Sequence, residues 1–352
     1  MSEQKKYYDI NSILSKKDLD NKEPSIYMIT SNRSGGKTTS TLKYSLELFK
    51  TKKRKTILLY RNKLELNGAN LIYKDVLGMY PEYGEEMTIL SHVGGSFYEL
   101  FLDGVSFGYA LALVKPDVLK KFSPLFADVD IMIMDEFQKE DGKYLSKEVE
   151  KLQSIYLTVA RGGGSQSRPV KVFLLGNMVS LMNPYFVYFG IHKRLKDETK
   201  FIRGNGWIAQ FTFIRSASES IKNNAFSRAF QGDSYMEYST GENVYLYDSK
   251  VFIEQPKGKS RYIFTLVHDK VSYGVREYYQ DGILYINKKP DKNCRYSATF
   301  KANDHNQNTI MLNKYCVHWK NIRDAYQGGY LRFDDIKTKN AIFDILGVDL
   351  YK

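Results

Sequence analysis

The sequence predicts an α/β protein in which a parallel sheet flanked by helices is followed by a separate α+β domain. Through the first half of the chain, short apolar runs alternate with amphipathic stretches of helical period. Beyond residue 250, strands follow one another closely and two helices end the chain. Strands separated by helices imply parallel pairing, whereas a run of strands followed by helices implies a separate α+β domain. The length of 352 residues suits two domains.

The first half supplies four strands, two helices and one hairpin. Each strand is a short apolar run rich in β-branched residues, and each helix repeats apolar residues along one face. The dipeptide Asp103-Gly104 between two apolar runs predicts a tight hairpin turn. The predicted strands are 25–30, 56–60, 130–134 and 170–175, the helices 37–50 and 146–160, and the hairpin arms 97–102 and 105–114.

A polar connecting helix over 216–230 separates the two halves. The second half reads as strands 250–254, 261–268, 271–279 and 283–287, then helices 315–327 and 336–346. The turn dipeptide Asp281-Gly282 lies between the last two of these strands.

The charge balance points to a polyanionic partner. Lys and Arg number 52 against 40 Asp and Glu, a formal net charge of +12. Hydrophobic residues make up 43% and charged residues 26%, values that exclude a disordered chain or a coiled-coil rod. A surplus of this size favours nucleic acid, although a merely basic globular protein is the simpler alternative.

The cysteine count excludes a disulfide framework, because only Cys294 and Cys316 are present. The five histidines show no metal-ligand spacing, and Cys316 with His318 alone cannot make a zinc site. The first fifteen residues are polar and lack a signal-peptide core, and no apolar run is long enough to span a bilayer. These features predict a cytosolic protein with no membrane partner.

The strongest local motif is Ser31-Asn-Arg-Ser-Gly-Gly-Lys-Thr38, between the first strand and the first long helix. It is similar to the phosphate-binding loop G-x-x-x-x-G-K-[ST], with Ser31 in place of the first glycine. In such a loop, backbone N–H groups and the helix N-terminus bind phosphate, Lys37 reaches the β- and γ-phosphates, and Thr38 ligates Mg²⁺. An ordinary strand–turn–helix is the alternative, which the apolar strand before the loop and the helix after it make less favourable.

A second motif is the apolar strand that ends in Asp135-Glu136. It has the form of a Walker B strand, in which Asp135 holds Mg²⁺ and Glu136 polarises the attacking water. A salt-bridged strand end is the alternative. An Asp-Glu pair favours a hydrolase over a kinase, because the glutamate gives water a base.

Two further residues follow these motifs. Asn177 ends an apolar strand, a position that suits a sensor residue whose side chain hydrogen-bonds the γ-phosphate. An asparagine in an ordinary turn is the alternative. Arg161 ends a helix before Gly162-Gly163-Gly164. From the residues alone, an exposed arginine or helix cap explains Arg161 better than a role at a neighbouring subunit's site.

Taken in order, these residues resemble the genome-packaging ATPases of φ29-type tailed phages. The resemblance rests on Arg33 with Gly36-Lys37-Thr38, Met134-Asp135-Glu136-Phe137, Thr158-Val-Ala-Arg161, Gly176-Asn177, Asn183-Pro-Tyr-Phe186, Val251-Phe-Ile-Glu254 and Gly329-Tyr-Leu-Arg-Phe-Asp334. It covers nearly the whole chain, and its later segments are more specific than the common ATP motifs.

The resemblance implies a ring motor, usually a pentamer, on the portal vertex of a procapsid in the host cytoplasm, where it moves double-stranded DNA. It implies an ASCE-type P-loop NTPase domain over 1–215, a small linker over 216–246, and an RNase H-like domain over 247–352. The last domain would be a vestigial nuclease that binds nucleic acid. ATP and Mg²⁺ are the implied cofactors. A structural packaging RNA is a further candidate partner.

Carried over by position, the resemblance makes Arg161 an arginine finger acting in trans and Asn177 the γ-phosphate sensor. Glu136 and Lys37 complete the implied catalytic set, and Thr38 and Asp135 are the implied Mg²⁺ ligands. The implied nucleotide-binding residues are Ser31, Asn32, Arg33, Ser34, Gly35, Gly36, Lys37, Thr38 and Thr39.

DNA contacts are expected from Arg61 and Lys63, which follow the second strand where the family places basic residues facing the pore. Further candidates are Lys53, Arg54, Lys120 and Lys121, with a solvated surface cation as the alternative for each. Such contacts are expected to be with phosphate and to weaken with salt, since a motor must move any sequence.

Three other functions stay open at this point. They are a helicase or translocase on single strands, a terminase with an active C-terminal nuclease, and a basic nucleic-acid-binding scaffold with a decayed P-loop. Asp248, Glu254 and Asp281 are candidate nuclease carboxylates, but their spacing does not indicate a two-metal site.

Overall fold

The computed structural model describes residues 7–114, 116–161, 166–195, 199–230, 234–241, 253, 255–294, 296–313 and 316–351. The chain forms two compact units. The first comprises Met1–Val179 and Leu195–Leu246, and the second comprises Ser180–Arg194 and Tyr247–Lys352.

The described part of the first unit contains a mixed sheet of nine strands in the order β3-β4-β5-β2-β6-β7-β1-β9-β8. The strands are β1 Ile26–Ser31, β2 Lys55–Tyr60, β3 Met87–His92, β4 Phe97–Leu102, β5 Val105–Ala112, β6 Val129–Met134, β7 Lys171–Asn177, β8 Phe201–Gly204 and β9 Trp207–Thr212. From β5 to β9 in this order the pairs are parallel, and antiparallel strands extend both edges. The predicted parallel sheet is confirmed.

Strand β7 lies between β1 and β6, so the strand that carries Asn177 separates the strands that carry the two ATP motifs. This arrangement is the one expected for the ASCE class. The carboxyl ends of β1, β6 and β7 therefore meet at one edge of the sheet, where ligands of open α/β sheets bind.

Helices of this unit connect and cover the strands. Their bounds are α1 Asn11–Leu14, α2 Lys37–Lys52, α3 Lys74–Met79, α4 Pro116–Leu119 and α5 Glu148–Val159, with α8 Arg215–Lys222, α9 Ala225–Ala229 and α10 Ser234–Thr240 after the last strand. Short 3₁₀ helices occupy Lys63–Gly68, Leu71–Tyr73, Pro81–Tyr83 and Lys120–Phe126. Leu42 and Leu46 of α2 are buried on the sheet, as their helical spacing predicts.

The elements predicted in this half are present, with local differences. The hairpin turns at Asp103 and Gly104 (φ 49° and 78°), the left-handed pair that a two-residue turn requires. The helix predicted over 216–230 is broken into α8 and α9, because the Asn224 side chain accepts the Phe226 N–H and starts a new helix. Strands β3, β8 and β9 were not predicted.

The described part of the second unit contains a sheet of six strands in the order β14-β13-β10-β11-β12-β15. An antiparallel meander of β10, β11 and β12 is joined by parallel strands on both sides. The strands are β10 Arg261–His268, β11 Val271–Tyr278, β12 Ile283–Asn287, β13 Ser297–Thr299, β14 Thr309–Met311 and β15 Leu331–Phe333. The helices are α6 Pro184–Tyr188, α7 Ile191–Arg194, α11 Val317–Gln327 and α12 Ile336–Tyr351, with a 3₁₀ turn at Ala302–Asp304.

The core of this unit is built around Trp319 of α11 and Ile342 and Leu346 of α12, which are buried among the apolar residues of the sheet. The strand predicted over 250–254 falls outside the described residues except for Ile253. Among the described residues of both units, no helix combines the length and apolar character that crossing a bilayer requires.

The segment Ser180–Arg194 packs in the second unit, although the predicted boundary at residue 215 placed it with the ATPase domain. Asp344 of α12 holds this segment through an ion pair with Lys193. Asp344 also accepts a hydrogen bond from His268 at 3.2 Å. Burial opposes ionisation, but these partners outweigh it and hold the pKa of Asp344 well below its usual value.

We expect Asp344→Asn to lower the free energy of unfolding at pH 7 by about 2 kcal/mol, since hydrogen bonds to a charged group are lost. A lowered folded-state pKa stabilises the protein above the unfolded value of about 4 and loses that effect as pH falls through the folded value. The difference between variant and wild type should therefore shrink below pH about 4. Urea unfolding across this range checks it, with the exposed Asp281→Asn as control; equal stability of both variants at pH 7 would contradict it.

Candidate nucleotide site at the carboxyl edge of the first sheet

The loop 31–38 connects β1 to α2 at this edge. Ser31 is the last residue of β1, paired with Asn177 and Thr212, and its buried hydroxyl donates to the Asn32 carbonyl at 3.0 Å. Since Ser31 keeps strand geometry, a glycine is not needed there. The left-handed positions lie later, at Ser34 (φ 57°) and Gly36 (φ 83°).

Helix α2 begins at Lys37, directly after Gly36, so its free N-terminal N–H groups face the loop. Ser34 is exposed at the turn, whereas Gly35 is buried. A Cβ on Gly35 would come within 2.9 Å of Ile214, so this position admits only glycine without a shift. Thr39 is the third residue of α2 and half-buried.

Asn32 holds the loop from the inside. Its amide donates to the Ile214 carbonyl at 3.1 Å and accepts the Ile214 N–H at 2.8 Å. The Tyr8 N–H donates to the Gly35 carbonyl at 2.8 Å. The Asn32 side chain therefore fixes the loop to the chain just before α8.

Lys37 and Asn177 are in direct contact across the site. The Lys37 Nζ donates to Asn177 Oδ1 at 2.7 Å, and the lysine is 7% exposed. Burial lowers the pKa of Lys37 to about 8, although the nearby Asp135 and Glu136 oppose the shift. The predicted phosphate lysine and the predicted sensor thus lie at one point.

Thr38 and Asp135 meet beside them, where the Thr38 hydroxyl donates to Asp135 Oδ2 at 2.9 Å. Burial raises the pKa of Asp135, and Lys37 and Thr38 act in the opposite direction. A hydroxyl and a carboxylate oxygen this close are the hard oxygen donors that Mg²⁺ prefers, and they fit the ion that the sequence predicts.

Glu136 follows Asp135 in a left-handed backbone conformation (φ 55°). Glu136 is exposed, and its backbone N–H donates to Asp135 Oδ1 at 3.0 Å. Partial desolvation, followed by the negative charge of Asp135, raises the pKa of Glu136. A carboxylate with a raised pKa is better suited to accept a proton from water.

Arg33 of the loop forms an ion pair with Glu140, four residues beyond Glu136. Glu140 also accepts hydrogen bonds from the hydroxyls of Tyr235 at 3.0 Å and Tyr238 at 3.2 Å, and Arg33 lies over the Tyr235 ring at 5.3 Å. The cluster of Arg33, Glu140, Tyr235 and Tyr238 connects the phosphate loop to α10, within the region predicted as a linker.

Arg161 lies at the opposite edge of the same sheet. Arg161 follows the end of α5. Arg168 connects this helix end to the start of β6, because it donates to the carbonyls of Val159 (2.9 Å) and of Val129, the first residue of β6. Asp135 lies beyond the other end of β6, which spans roughly 20 Å. Arg161 is exposed, and in the described part of the chain its side chain has no hydrogen bond or ion pair.

The whole-chain comparison decides the family. The sequence matches the family described as Podovirus DNA encapsidation protein (Gp16) over residues 2–348. The chain belongs to this family.

Relatives within the family are similar over most of their length. The DNA packaging protein of Bacillus phage phi29 is 27% identical over 315 residues, covering 88% of this chain and 90% of that protein. The DNA packaging protein of Bacillus phage B103 is 26% identical over 324 residues, covering 90% and 93%.

Solved structures share the fold along the full chain. The bacteriophage Phi-29 viral genome packaging motor assembly contains a chain with TM-score 0.55 and 24% identity, covering 97% of this chain and 98% of that one. The Phi-28 gp11 DNA packaging motor gives TM-score 0.56 at 16% identity, covering 98% of both. The predicted packaging-family membership and fold class are confirmed.

The structure corrects the predicted DNA contact of Arg61. Its side chain is 7% exposed and paired with Glu148, so it is not available to a phosphate of DNA. The remaining basic candidates stay predictions. Lys53, Lys120 and Lys121 are exposed, Lys120 forms an ion pair with Asp117, Arg54 pairs with Asp130, and Lys63 donates to Ser96 at 3.4 Å.

The predicted nuclease carboxylates form no site in the described residues. Asp248 and Glu254 lie outside them, and Asp281 is exposed in the turn between β11 and β12. His268, Asp269 and Asp304 do lie within ligand distance of one another. However, Asp304 accepts the N–H groups of Asp269 and Lys270, and Asp269 pairs with Lys301, so these carboxylates hold a turn.

Sequence reasoning missed Glu140, Glu148 and the two tyrosines of α10. Glu140 lies in the loop after the Walker B strand, Glu148 lies in the first turn of the helix predicted over 146–160, and the partners of both are distant in sequence. The paired aromatic residues Tyr235 and Tyr238 are the one local signal that could have indicated a contact.

Proposed function

We propose that this chain is the ATPase subunit of a motor that moves double-stranded viral DNA into a procapsid. The observation that carries the proposal is the meeting of Lys37 with Asn177 and of Thr38 with Asp135 at one sheet edge. Membership of the DNA encapsidation family supplies the context.

The residues divide the work of ATP hydrolysis. Backbone N–H groups of 34–39 and the Lys37 ammonium bind the phosphates, and Asn177 orients the γ-phosphate or the attacking water. Thr38 and Asp135 would hold Mg²⁺, which neutralises phosphate charge when bound. Glu136 accepts the proton of the attacking water.

Arg161 places its positive charge next to the γ-phosphate of the ATP that is bound to a neighbouring subunit. Its place at the far edge of its own sheet, roughly 20 Å from Asp135, supports action in trans rather than in cis. A finger of this kind makes hydrolysis depend on a ring, which the family resemblance makes a pentamer docked on the portal in the host cytoplasm. Packaging RNA is a further proposed partner.

For contacts with DNA phosphates we propose the exposed Lys53, Arg54, Lys120 and Lys121 and the half-buried Lys63. The net charge of +12 supports a polyanionic partner. Contacts to phosphate alone allow a motor to move along any sequence.

Steady-state ATP turnover with no DNA, duplex DNA or single-stranded DNA tests the proposal. We expect turnover to be stimulated by duplex more than by single strands. The half-saturating duplex concentration should rise steeply with salt, and less steeply in Lys120→Ala/Lys121→Ala, where each lost phosphate contact lowers the salt slope by about 1. Lys37→Ala is the control for contaminating ATPase.

Three outcomes would contradict the proposal. Preferential stimulation by single strands would indicate a helicase-type translocase. Cleavage of plasmid that depends on a divalent cation would indicate an active nuclease. Turnover no greater than that of Lys37→Ala at every protein concentration would indicate a binding scaffold.

A further inference from the structure

Arg61, the residue directly after β2, uses every part of its guanidinium group in contacts within the first unit. Its Nη1 donates to the Glu136 carbonyl at 2.8 Å and its Nη2 to the Phe137 carbonyl at 2.6 Å. Its Nε lies 3.0 and 3.1 Å from the two oxygens of Glu148. The guanidinium carbon lies 5.4 Å from the centre of the Tyr144 ring. The planar guanidinium group of Arg61 therefore binds two consecutive backbone carbonyls and one carboxylate.

Glu148, the carboxylate that binds the Arg61 guanidinium, is itself held in place. The Glu148 side chain is fully buried, and its Oε2 also accepts the Leu145 N–H at 2.9 Å. Glu148 is the first residue of α5. A buried carboxylate needs a paired cation, and the fork of arginine matches a carboxylate in a way that lysine cannot.

The carbonyls that Arg61 grips belong to the point where the chain changes direction. Asp135 is bonded to Thr38, whereas Phe137 is fully buried and its N–H donates to the Leu175 carbonyl at 3.0 Å. Glu136 lies between them at φ 55°, a left-handed conformation that is uncommon for residues with a side chain. The direction of the Glu136 side chain is set by this backbone turn.

We propose that Arg61 is a positioning residue for ATP hydrolysis: anchored by Glu148, it holds the main chain at Glu136 and Phe137 so that the Glu136 carboxylate faces the nucleotide. The inference rests on the proposed role of Glu136 as the base. It replaces the DNA contact predicted for Arg61 with a role in the chemical step.

The test compares full-length Arg61→Gln, Arg61→Lys and Glu148→Gln with wild type. Thermal unfolding reports folding, displacement of a fluorescent ATP analogue in Mg²⁺ reports affinity, and saturating ATP gives kcat. We expect Arg61→Gln to lower kcat about 100-fold, the effect of a displacement of about 1 Å, with ATP affinity within about threefold of wild type. Arg61→Lys should lose about tenfold, because it keeps the charge but not the fork. The exposed Arg228→Gln is the control.

A double variant that combines Arg61→Gln with Glu136→Gln distinguishes a role of Arg61 through Glu136 from a purely structural role. If Arg61 acts through Glu136, the single-turnover rate of the double variant should equal that of Glu136→Gln alone. Wild-type kcat in a folded Arg61→Gln, a parallel loss of ATP affinity, or a further multiplied loss in the double variant would each overturn the inference.

If Arg61→Gln does not fold, Arg61→Lys and Glu148→Gln decide by the same measurements, with the same expected and contradicting results. Full turnover by Glu136→Gln would overturn the proposed base itself. That result is distinct from a wild-type rate in Arg61→Gln beside an inactive Glu136→Gln, which overturns only the role of Arg61.

Discussion

Replacing Glu136 with Gln is expected to lower steady-state ATP turnover severely while leaving ATP bound. Removal of a general base costs 10² to 10⁴-fold, so kcat should fall by about that factor. ATP affinity should stay near wild type, because the phosphate contacts come from Lys37 and the loop backbone. Turnover under saturating ATP, with a filter-binding measurement of ATP affinity, checks both parts.

The matched control for this variant is Glu85→Gln, which changes an exposed glutamate of the same unit. It should turn over ATP at the wild-type rate. If Glu136→Gln also kept that rate, Glu136 would not be the base, and water activation would have to be assigned to another group at this edge of the sheet.

Replacing Arg161 with Ala is expected to give the largest loss of turnover after assembly. An arginine finger contributes about 10³ to 10⁵-fold, or about 4 to 7 kcal/mol of barrier. ATP affinity of the isolated subunit should be unchanged, since Arg161 lies at the far edge of its own sheet. The measurement is DNA-stimulated kcat at a protein concentration that saturates wild-type turnover.

Arg228→Ala is the control, because Arg228 is an exposed arginine of the same unit. It should retain DNA-stimulated turnover. A loss of less than tenfold in Arg161→Ala would be too small for a finger, and would restore the simpler interpretation of Arg161 as a solvated arginine at a helix end.

The parts of the site that the sequence predicted are those encoded within one strand and its following turn. Strand β1 with the loop before α2, and strand β6 with Asp135, each carry an apolar run next to a polar motif. Because the carboxyl ends of parallel strands share an edge, the contacts of Lys37 and Thr38 could be expected before the structure was known.

The parts that could not be predicted depend on contacts between distant residues. Arg61 and Glu148 are 87 positions apart, and Glu140 and Tyr238 are 98 positions apart. A basic residue after a strand is usually solvated, and a buried carboxylate partner leaves no periodic signal in the sequence. The burial of Arg61 therefore became visible only in the fold.

The unit boundary shows the same limit. Residues 180–194 are rich in apolar and aromatic residues, and this composition does not by itself indicate the unit in which they pack. Their attachment to the second unit depends on Asp344, which lies more than 140 residues further along the chain. The strand pair β8 and β9 was missed because its apolar runs are short and lie beside the polar stretch 193–200.

The most direct test of the central claim, a shared ATP site between subunits, mixes two inactive variants. Arg161→Ala, which keeps Lys37, and Lys37→Ala, which keeps Arg161, are combined at varied ratios and constant total concentration with duplex DNA. We predict that turnover is lowest for either variant alone and passes through a maximum at intermediate ratios, where interfaces with one intact Lys37 and one intact Arg161 form. Turnover that stays at the level of the single variants at every ratio, with mixed oligomers demonstrated by crosslinking, would contradict a finger supplied in trans.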